Sequence, residues 1–416
     1  MNIGIVTTWF ERGAAYVSRQ YRDLLRDDFN VFIFARGGEK YAIGDPFWDD
    51  GTVTWARNML HPSPAALDQE DFLQWIHTNH LDMVFFNEQQ WWPPVLWCRD
   101  AGVKTGAYVD YYTEETIPLF AAYDFLICNT KRHFEAFTWH TGAHYVPWGT
   151  DIDIFRPSST APVEGGTVTF FHSAGMNPTR KGTSFVLEAF ATLKGRKRLV
   201  IHSQVPLADS LSNQASLIAD LIKHQELFVI EETVTAPGLY HLGDVYVYPS
   251  RLEGIGLTIA EALSCGLPVI VPDNPPMNEF VDDTCGKTVA ISRLYARSDG
   301  YYWLQCDIAV SSLIEKMQWY LDHSDRMADF KRQARRYAEE KLDWRKNKAR
   351  IIEIFKTAEI TSNFDPGPVI RFEIKRAQLD WISLLYMQRP AVYRALNYVY
   401  RIGYRIGYRI KKRLFP

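Results

Sequence analysis

At 416 residues the chain is longer than one hydrophobic core usually supports, so two domains are the starting expectation. Lys and Arg number 46 against 49 Asp and Glu, and 47% of residues are hydrophobic, which is ordinary for a globular protein and gives no case for a nucleic-acid partner. The 5 cysteines are scattered, without C-x-x-C spacing, and read as buried thiols in a reducing, cytoplasmic setting, not as a disulfide framework or a metal site.

Residues 3–6, 7–15 and 16–25 read as strand, loop and helix, with 31–34 as the next strand. The chain reaches charged residues by Glu11, so neither a signal peptide nor a spanning helix is expected. The alternation predicts a doubly wound α/β unit. Its first loop holds Gly13, but with no G-x-G-x-x-G and no Walker lysine a simple turn glycine explains it equally well. Predicted strands at 83–86, 105–109 and 123–128 follow. The first two run into Asn87, Glu88, Trp91 and Trp92, and into Asp110, Tyr111, Tyr112 and Glu114. The carboxyl ends of strands in open α/β sheets form the ligand crevice, so these rings either stack on a ligand or pack against Pro93 and Pro94. Asp151-Ile152-Asp153 invites a divalent ion, but Pro147, Gly149 and Pro157 mark a connecting loop, and no metal is expected. His77 with His80, and His140 with His144, lack completing ligands. Residues 160–166 form a polar linker.

A second unit opens with a strand at 167–171, then His172-Ser173-Ala174-Gly175 and a loop to Arg180-Lys181-Gly182. A helix is predicted over 183–193, with Thr183 or Ser184 as its cap. His172 follows the strand directly toward the cleft. Two cations at a helix start oppose the macrodipole, at roughly a few tenths of a kcal/mol each, so a bound anion explains Arg180 and Lys181 better than stability does. Strands at 199–203 and 227–230 come next, the latter ending in Glu231, Glu232, Thr233 and Val234.

The stretch 243–271 carries the chemistry. A strand at 244–249 passes through a loop holding Glu253, Gly254 and Gly256 into a helix at 257–264. Such a turn aims backbone N–H groups and the positive dipole end at one spot, which suits a phosphate. The carboxylates bracketing it, Glu253 and Glu261, would repel an anion and favour hydroxyl donors, so a sugar nucleotide is the inferred ligand. Thr258 and Glu261 also fit a capping box, which leaves a purely structural role for Glu261 open. Glu253, in the turn itself, has no such alternative.

Glu253 and Glu261 in E-x7-E spacing, with Ala262, Cys265-Gly266-Leu267-Pro268-Val269-Ile270, Pro276, Glu279 and Gly286, resemble the retaining glycosyltransferases of family four. The resemblance implies the GT-B fold: two doubly wound Rossmann-like domains facing an interdomain cleft, with a helical basic C-terminal extension. Residues 1–150 would form the acceptor-side domain, 151–166 the linker, 167–345 the nucleotide-sugar domain, and 346–416 a helical return and basic tail. It implies metal-independent transfer from a nucleotide-diphosphate sugar, with no further cofactor, to a glycan or lipid-linked acceptor in cell-surface polysaccharide or glycolipid synthesis. Arg180, Lys181 and the N–H groups of Gly254, Ile255, Gly256 and Leu257 would hold the leaving diphosphate. Glu253 would grip the donor sugar and Glu261 the ribose. Gly13 would face the cleft, His172 and Gly175 the donor, and Glu232 and Thr233 the nucleobase. Two departures stand out: Val109-Asp110 replaces a histidine common in the family, making Asp110 a candidate for positioning or proton handling. An arginine expected near 174–176 is also absent, and Arg180 would substitute. A nucleotide-sugar epimerase of the same architecture and a non-catalytic sugar-nucleotide-binding scaffold are the alternatives.

The tail has no acidic residue after Asp380 and repeats Tyr400-Arg401-Ile402-Gly403 as Tyr404-Arg405-Ile406-Gly407 and Tyr408-Arg409-Ile410. On a helix, at about 100° per residue, Arg401, Arg405, Arg409 and Arg413 fall on one stripe. Residues 394–413 are thus expected either to meet an anionic membrane, peripherally at the inner face, or to dock on the first domain.

Overall fold

The computed structural model describes residues 1–37, 41–158 and 166–414, with side chains through residue 404. Of the polar linker expected at 160–166, residues 160–165 lie outside the described residues. Strands β1 (Asn2–Thr7), β2 (Asn30–Ala35), β3 (Val53–Trp55), β4 (Met83–Asn87), β5 (Lys104–Val109), β6 (Phe125–Cys128) and β7 (Ala143–Tyr145) form one parallel sheet in the order β3-β2-β1-β4-β5-β6-β7. A second parallel sheet holds β8 (Val168–Gly175), β9 (Lys197–Ser203), β10 (Leu227–Glu231), β11 (Val245–Val247), β12 (Val269–Pro272) and β13 (Gly286–Val289), ordered β10-β9-β8-β11-β12-β13. Each order reverses beside the unit's first strand, which opens a crevice at the carboxyl ends of the strands.

The inner strands are buried on both faces by covering helices, so they read as continuous apolar runs. Gly4 of β1 shows how close that cover lies: a Cβ there would fall 2.3 Å from the Trp75 ring. Trp91 and Trp92, considered above as ligand-stacking rings, are buried, with Trp92 edge-on to Phe120 at 5.3 Å and Trp91 edge-on to Trp97 at 5.4 Å. They belong to the core.

A hairpin of β14 (Ile291–Tyr295) and β15 (Gln305–Ile308) leaves the second unit and reaches the first. Its tip pairs with the end of β5: Tyr302 N–H donates to Tyr112 O at 2.9 Å, and Tyr301 stacks on Tyr111 at 5.2 Å.

The chain then returns to the first unit. Trp344 packs against Trp148 at 5.0 Å and Tyr21 at 5.2 Å, and Phe355 against Phe85 and Phe125. The helices Gly367–Ala377, Trp381–Gln388 and Pro390–Leu414 complete that return. On the last of them Tyr393 and Asn397 are buried: Tyr393 Oη donates to Leu60 O at 3.0 Å, and Asn397 Oδ1 accepts from Leu60 N–H at 2.9 Å. Arg401 donates to Asp68 at 2.6 Å. The tail therefore docks on the first unit through this face, and Arg401 points into the protein, not outward as the membrane-facing stripe required. The side chains of Arg405, Arg409 and Arg413 lie outside the described residues. Opposite this face, Val392, Leu396, Tyr398 and Val399 are exposed. Among the described residues no helix is long and apolar enough to cross a membrane.

Candidate functional site

The second unit's site is built by two glycines. Gly182, at φ +71°, is the N-cap of the helix Thr183–Thr192, and a Cβ there would fall 2.1 Å from Pro249 O. Only glycine permits this approach, which lays Arg180 and Lys181 over the loop after β11. The cap expected from Thr183 or Ser184 is thus replaced by Gly182; Thr183 is buried instead. Gly256, at φ +90°, is the N-cap of the helix Leu257–Ser264 and offers no side-chain cap, so the leading N–H groups of that helix stay available to an anion.

Glu253 sits where these two turns meet. Its Oε1 accepts four hydrogen bonds: from Arg180 Nη1 at 2.9 Å, Lys181 Nζ at 2.7 Å, Tyr248 Oη at 2.8 Å and Ser250 Oγ at 2.5 Å. Burial alone would raise its pKa, but Arg180, Lys181 and Ser250 outweigh burial and hold the carboxyl at about 2. Burial drives Lys181 down, Glu253 partly offsets it, and the ammonium titrates at about 8. Arg180 is pushed up by Glu253. The cations at this helix start are therefore already met by a protein carboxylate, which the sequence reading did not foresee. Two cations against one carboxylate leave a positive balance beside the open helix start.

Glu261 lies at the other end of the turn, lining a cavity of about 140 Å³ to which Glu11 and Tyr16 of the first unit also contribute. Its Oε2 accepts from Tyr240 Oη at 2.5 Å, and burial raises its pKa to about 7. The capping box does not form: the cap is Gly256, and the Thr258 hydroxyl is buried without a partner among the described residues. Residues 234–239, Ser173 and His202 complete the wall. Glu232 and Thr233, expected against a nucleobase, are exposed and outside this lining; Glu232 N–H donates to Ser203 O at 3.0 Å, and the wall is formed by the residues that follow.

His172 faces inward. Its Nδ1 donates to Val247 O at 2.7 Å and its Nε2 accepts from Thr183 Oγ1 at 2.8 Å. Burial lowers it to about 4, so it is neutral, and with both nitrogens engaged it ties β8 to β11 and to a helix start and offers nothing to a donor. Gly175 ends β8 at φ +55°, its carbonyl accepting from Gln204 N–H at 2.9 Å. Ile255 is buried. Gly13 opens the helix Gly13–Leu25 opposite Leu257: a Cβ at Gly13 would lie 3.6 Å from Leu257 Cδ1, so two helix N-termini face each other across the cleft.

Asp110, at the end of β5, approaches from the first unit; its Cβ lies 3.9 Å from where a Cβ on Gly254 would begin. Burial and the neighbouring Glu88 raise its carboxyl well above the usual carboxylate range. Asp151 Oδ1 accepts from Asp153 N–H at 2.9 Å, and Asp153 pairs with Arg345 at 2.6 Å. Among the described residues no group of three or more His, Cys, Asp and Glu is placed to hold a metal.

The sequence reading missed the clamp that joins the units here. Thr130 caps the helix Lys131–Ala136, and Glu279 of the second unit accepts from Lys131 N–H at 2.6 Å and Arg132 N–H at 3.0 Å. Arg132 donates to Glu253 O at 2.5 Å, and His133 Nε2 to Gly254 O at 2.9 Å. The Thr130 cap was readable from its residue type; that the helix grips the Glu253 turn was not.

Two facing doubly wound units with a cleft between their strand ends define a GT-B protein. The structure resembles Anabaena HepE in complex with UDP and glucose (TM-score 0.65, 14% identity, covering 86% of this chain and 100% of that one) and a glycosyltransferase from Rickettsia africae (TM-score 0.67, 15% identity, 86% and 99%). Residues 167–304 match the family model of glycosyl transferases group 1. Among curated relatives, a D-inositol 3-phosphate glycosyltransferase of Xylanimonas cellulosilytica is 30% identical over 176 residues. That match spans 36% of this chain and 40% of the relative. The O-antigen chain mannosyltransferase B of Escherichia coli is 47% identical over 47 residues, 11% of this chain and 12% of the relative.

Proposed function

We propose that the protein is a retaining glycosyltransferase that moves a sugar from a nucleotide-diphosphate sugar to a glycan or lipid-linked acceptor in cell-surface polysaccharide or glycolipid synthesis. The observation that carries this is the Arg180, Lys181 and Glu253 cluster set against the uncapped start of the helix Leu257–Ser264, with the Glu261 cavity alongside. The diphosphate sits on the helix start, with Lys181 and Arg180 balancing its charge in place of a metal. Glu261 and its cavity hold the ribose. Glu253 has one oxygen saturated by protein donors, so its second oxygen is the one that meets a sugar hydroxyl.

In the transfer, the bond from the anomeric carbon to the diphosphate oxygen breaks while the acceptor oxygen bonds to the same face. The acceptor's proton passes to the departing phosphate oxygen. No enzyme nucleophile is required. Asp110, against Gly254 and with its carboxyl shifted toward the neutral form by burial and Glu88, positions the acceptor in the cleft. The protein works on the cytoplasmic side, with the exposed apolar face of the last helix against an anionic membrane.

Incubation with a panel of nucleotide sugars tests this: donor hydrolysis or transfer is expected, lost in Lys181→Ala. An isomerised donor with no acceptor present would instead establish the epimerase alternative.

A further inference from the structure

A second cavity, of about 460 Å³, opens at the carboxyl end of the first sheet, and three guanidinium groups line it: Arg12, Arg36 and Arg376. Arg36 is buried at the end of β2, donating to Asn87 O at 2.7 Å and Glu88 O at 3.0 Å. Arg12 pairs with Glu88 at 3.7 Å. Arg376 comes from the returning helix Gly367–Ala377, which Glu373 fastens to the first unit by accepting from Trp92 N–H at 3.0 Å. The carboxylates in the lining are Glu88 and Asp380, and Asp380 caps the helix Trp381–Gln388 through Ser383 N–H at 2.6 Å. Arg376 also lies 4.0 Å from Glu373, which is outside the lining; within the lining three guanidinium groups stand against two carboxylates.

The cavity leads to the reaction centre. Glu88, held in the left-handed region at φ +52°, adjoins Asp110, and Asp110 lies against Gly254 of the turn described above. At its outer lip Leu379 is 86% exposed, and Trp381, just beyond, is 66% exposed. The C-terminal return is thus a wall of this cavity as well as a buttress of the first unit.

We propose that this cavity seats the acceptor, and that the acceptor carries a phosphate group held by Arg12, Arg36 and Arg376. Guanidinium forks match phosphate oxygens in pairs, and three of them line this one cavity. The phosphate takes no covalent part: a hydroxyl elsewhere on the acceptor reaches past Glu88 and Asp110 to the anomeric carbon and attacks it. The assignment rests on the glycosyltransferase reading, and the phosphate comes from a free sugar phosphate or from a lipid-borne one.

The test uses the full chain with nucleoside diphosphate at saturation, so that the donor side is filled. One arm titrates sn-glycerol 3-phosphate; the other titrates phosphatidylcholine vesicles doped with polyprenyl phosphate, with undoped vesicles subtracted. Arg376→Gln is expected to weaken binding about tenfold in at least one arm, while leaving nucleoside diphosphate affinity unchanged. Lys181→Ala is expected to do the reverse. Weakening in the vesicle arm alone identifies a lipid-borne phosphate, and weakening in both identifies a pocket that also takes a free one. If neither probe binds, or Arg376→Gln binds as tightly as the unmodified chain in both arms, the proposal is overturned. If nucleoside diphosphate fails to bind, it is the glycosyltransferase reading that fails.

Discussion

Replacing Lys181 with alanine removes one of the four donors to Glu253 Oε1 and one of the two cations beside the open helix start. The interaction with a leaving diphosphate strengthens as charge develops on the departing oxygen, so the loss falls mainly on kcat. Removing one preorganised group of this kind costs on the order of 10²–10³ in kcat, or about 3–4 kcal/mol. Donor KM should change much less. The same residue predicts a pH profile. Lys181 titrates at about 8, below its ordinary 10.5, and acts as the cation, so kcat/KM should fall as pH rises through about 8. Lys181→Arg, which stays charged, should abolish that limb. Steady-state rates with labelled donor from pH 6 to pH 10 provide the assay. A fully active Lys181→Ala, or a limb near 8 that persists in Lys181→Arg, would refute the leaving-group role.

Glu261→Gln should weaken nucleoside diphosphate binding, read by calorimetry. Because burial raises the folded-state pKa of Glu261 from 4.5 to about 7, its stabilising contribution is complete below about 4.5 and is lost as pH rises through about 7. Thermal melts should therefore show Glu261→Gln gaining stability relative to the unmodified chain at pH 8 and little at pH 4.5. Gly182→Ala should lower stability by about 2 kcal/mol or more and reduce activity, since a Cβ at φ +71° would meet Pro249 O at 2.1 Å. A chemical denaturation midpoint equal to that of the unmodified chain would contradict the proposed packing. Val399→Glu with Tyr398→Glu, on the exposed face of the last helix, should reduce co-sedimentation with anionic vesicles without lowering the melting temperature. Equal co-sedimentation of both forms would remove the membrane contact.

Much of this molecule was readable from residue pattern. Continuous apolar runs located the central strands, and the predicted helix over 257–264 coincides with Leu257–Ser264 because Gly256 bounds it sharply. Short edge strands such as β3 and β7, three residues each, carry too little pattern to announce themselves. The site was legible as residue types, not as partnerships. Glu253, Arg180 and Lys181 were identified separately, but the convergence of both cations on one oxygen depends on the close pass of Gly182 over Pro249, which no local pattern encodes. His172 misled for the same reason: following a strand toward the cleft does not reveal that Val247 and Thr183 occupy both its nitrogens. The tail's arginine stripe was read from helical geometry alone, whereas the buried face is chosen by Tyr393 and Asn397, which hold Arg401 against Asp68.

The central claim is that a nucleoside diphosphate lies with its terminal phosphate on Lys181. A double-mutant-style cycle by titration calorimetry tests it, comparing nucleoside diphosphate and monophosphate binding to the unmodified chain and to Lys181→Ala. Removing the terminal phosphate should cost the unmodified chain much more affinity than it costs Lys181→Ala. An equal cost in both proteins would contradict the account.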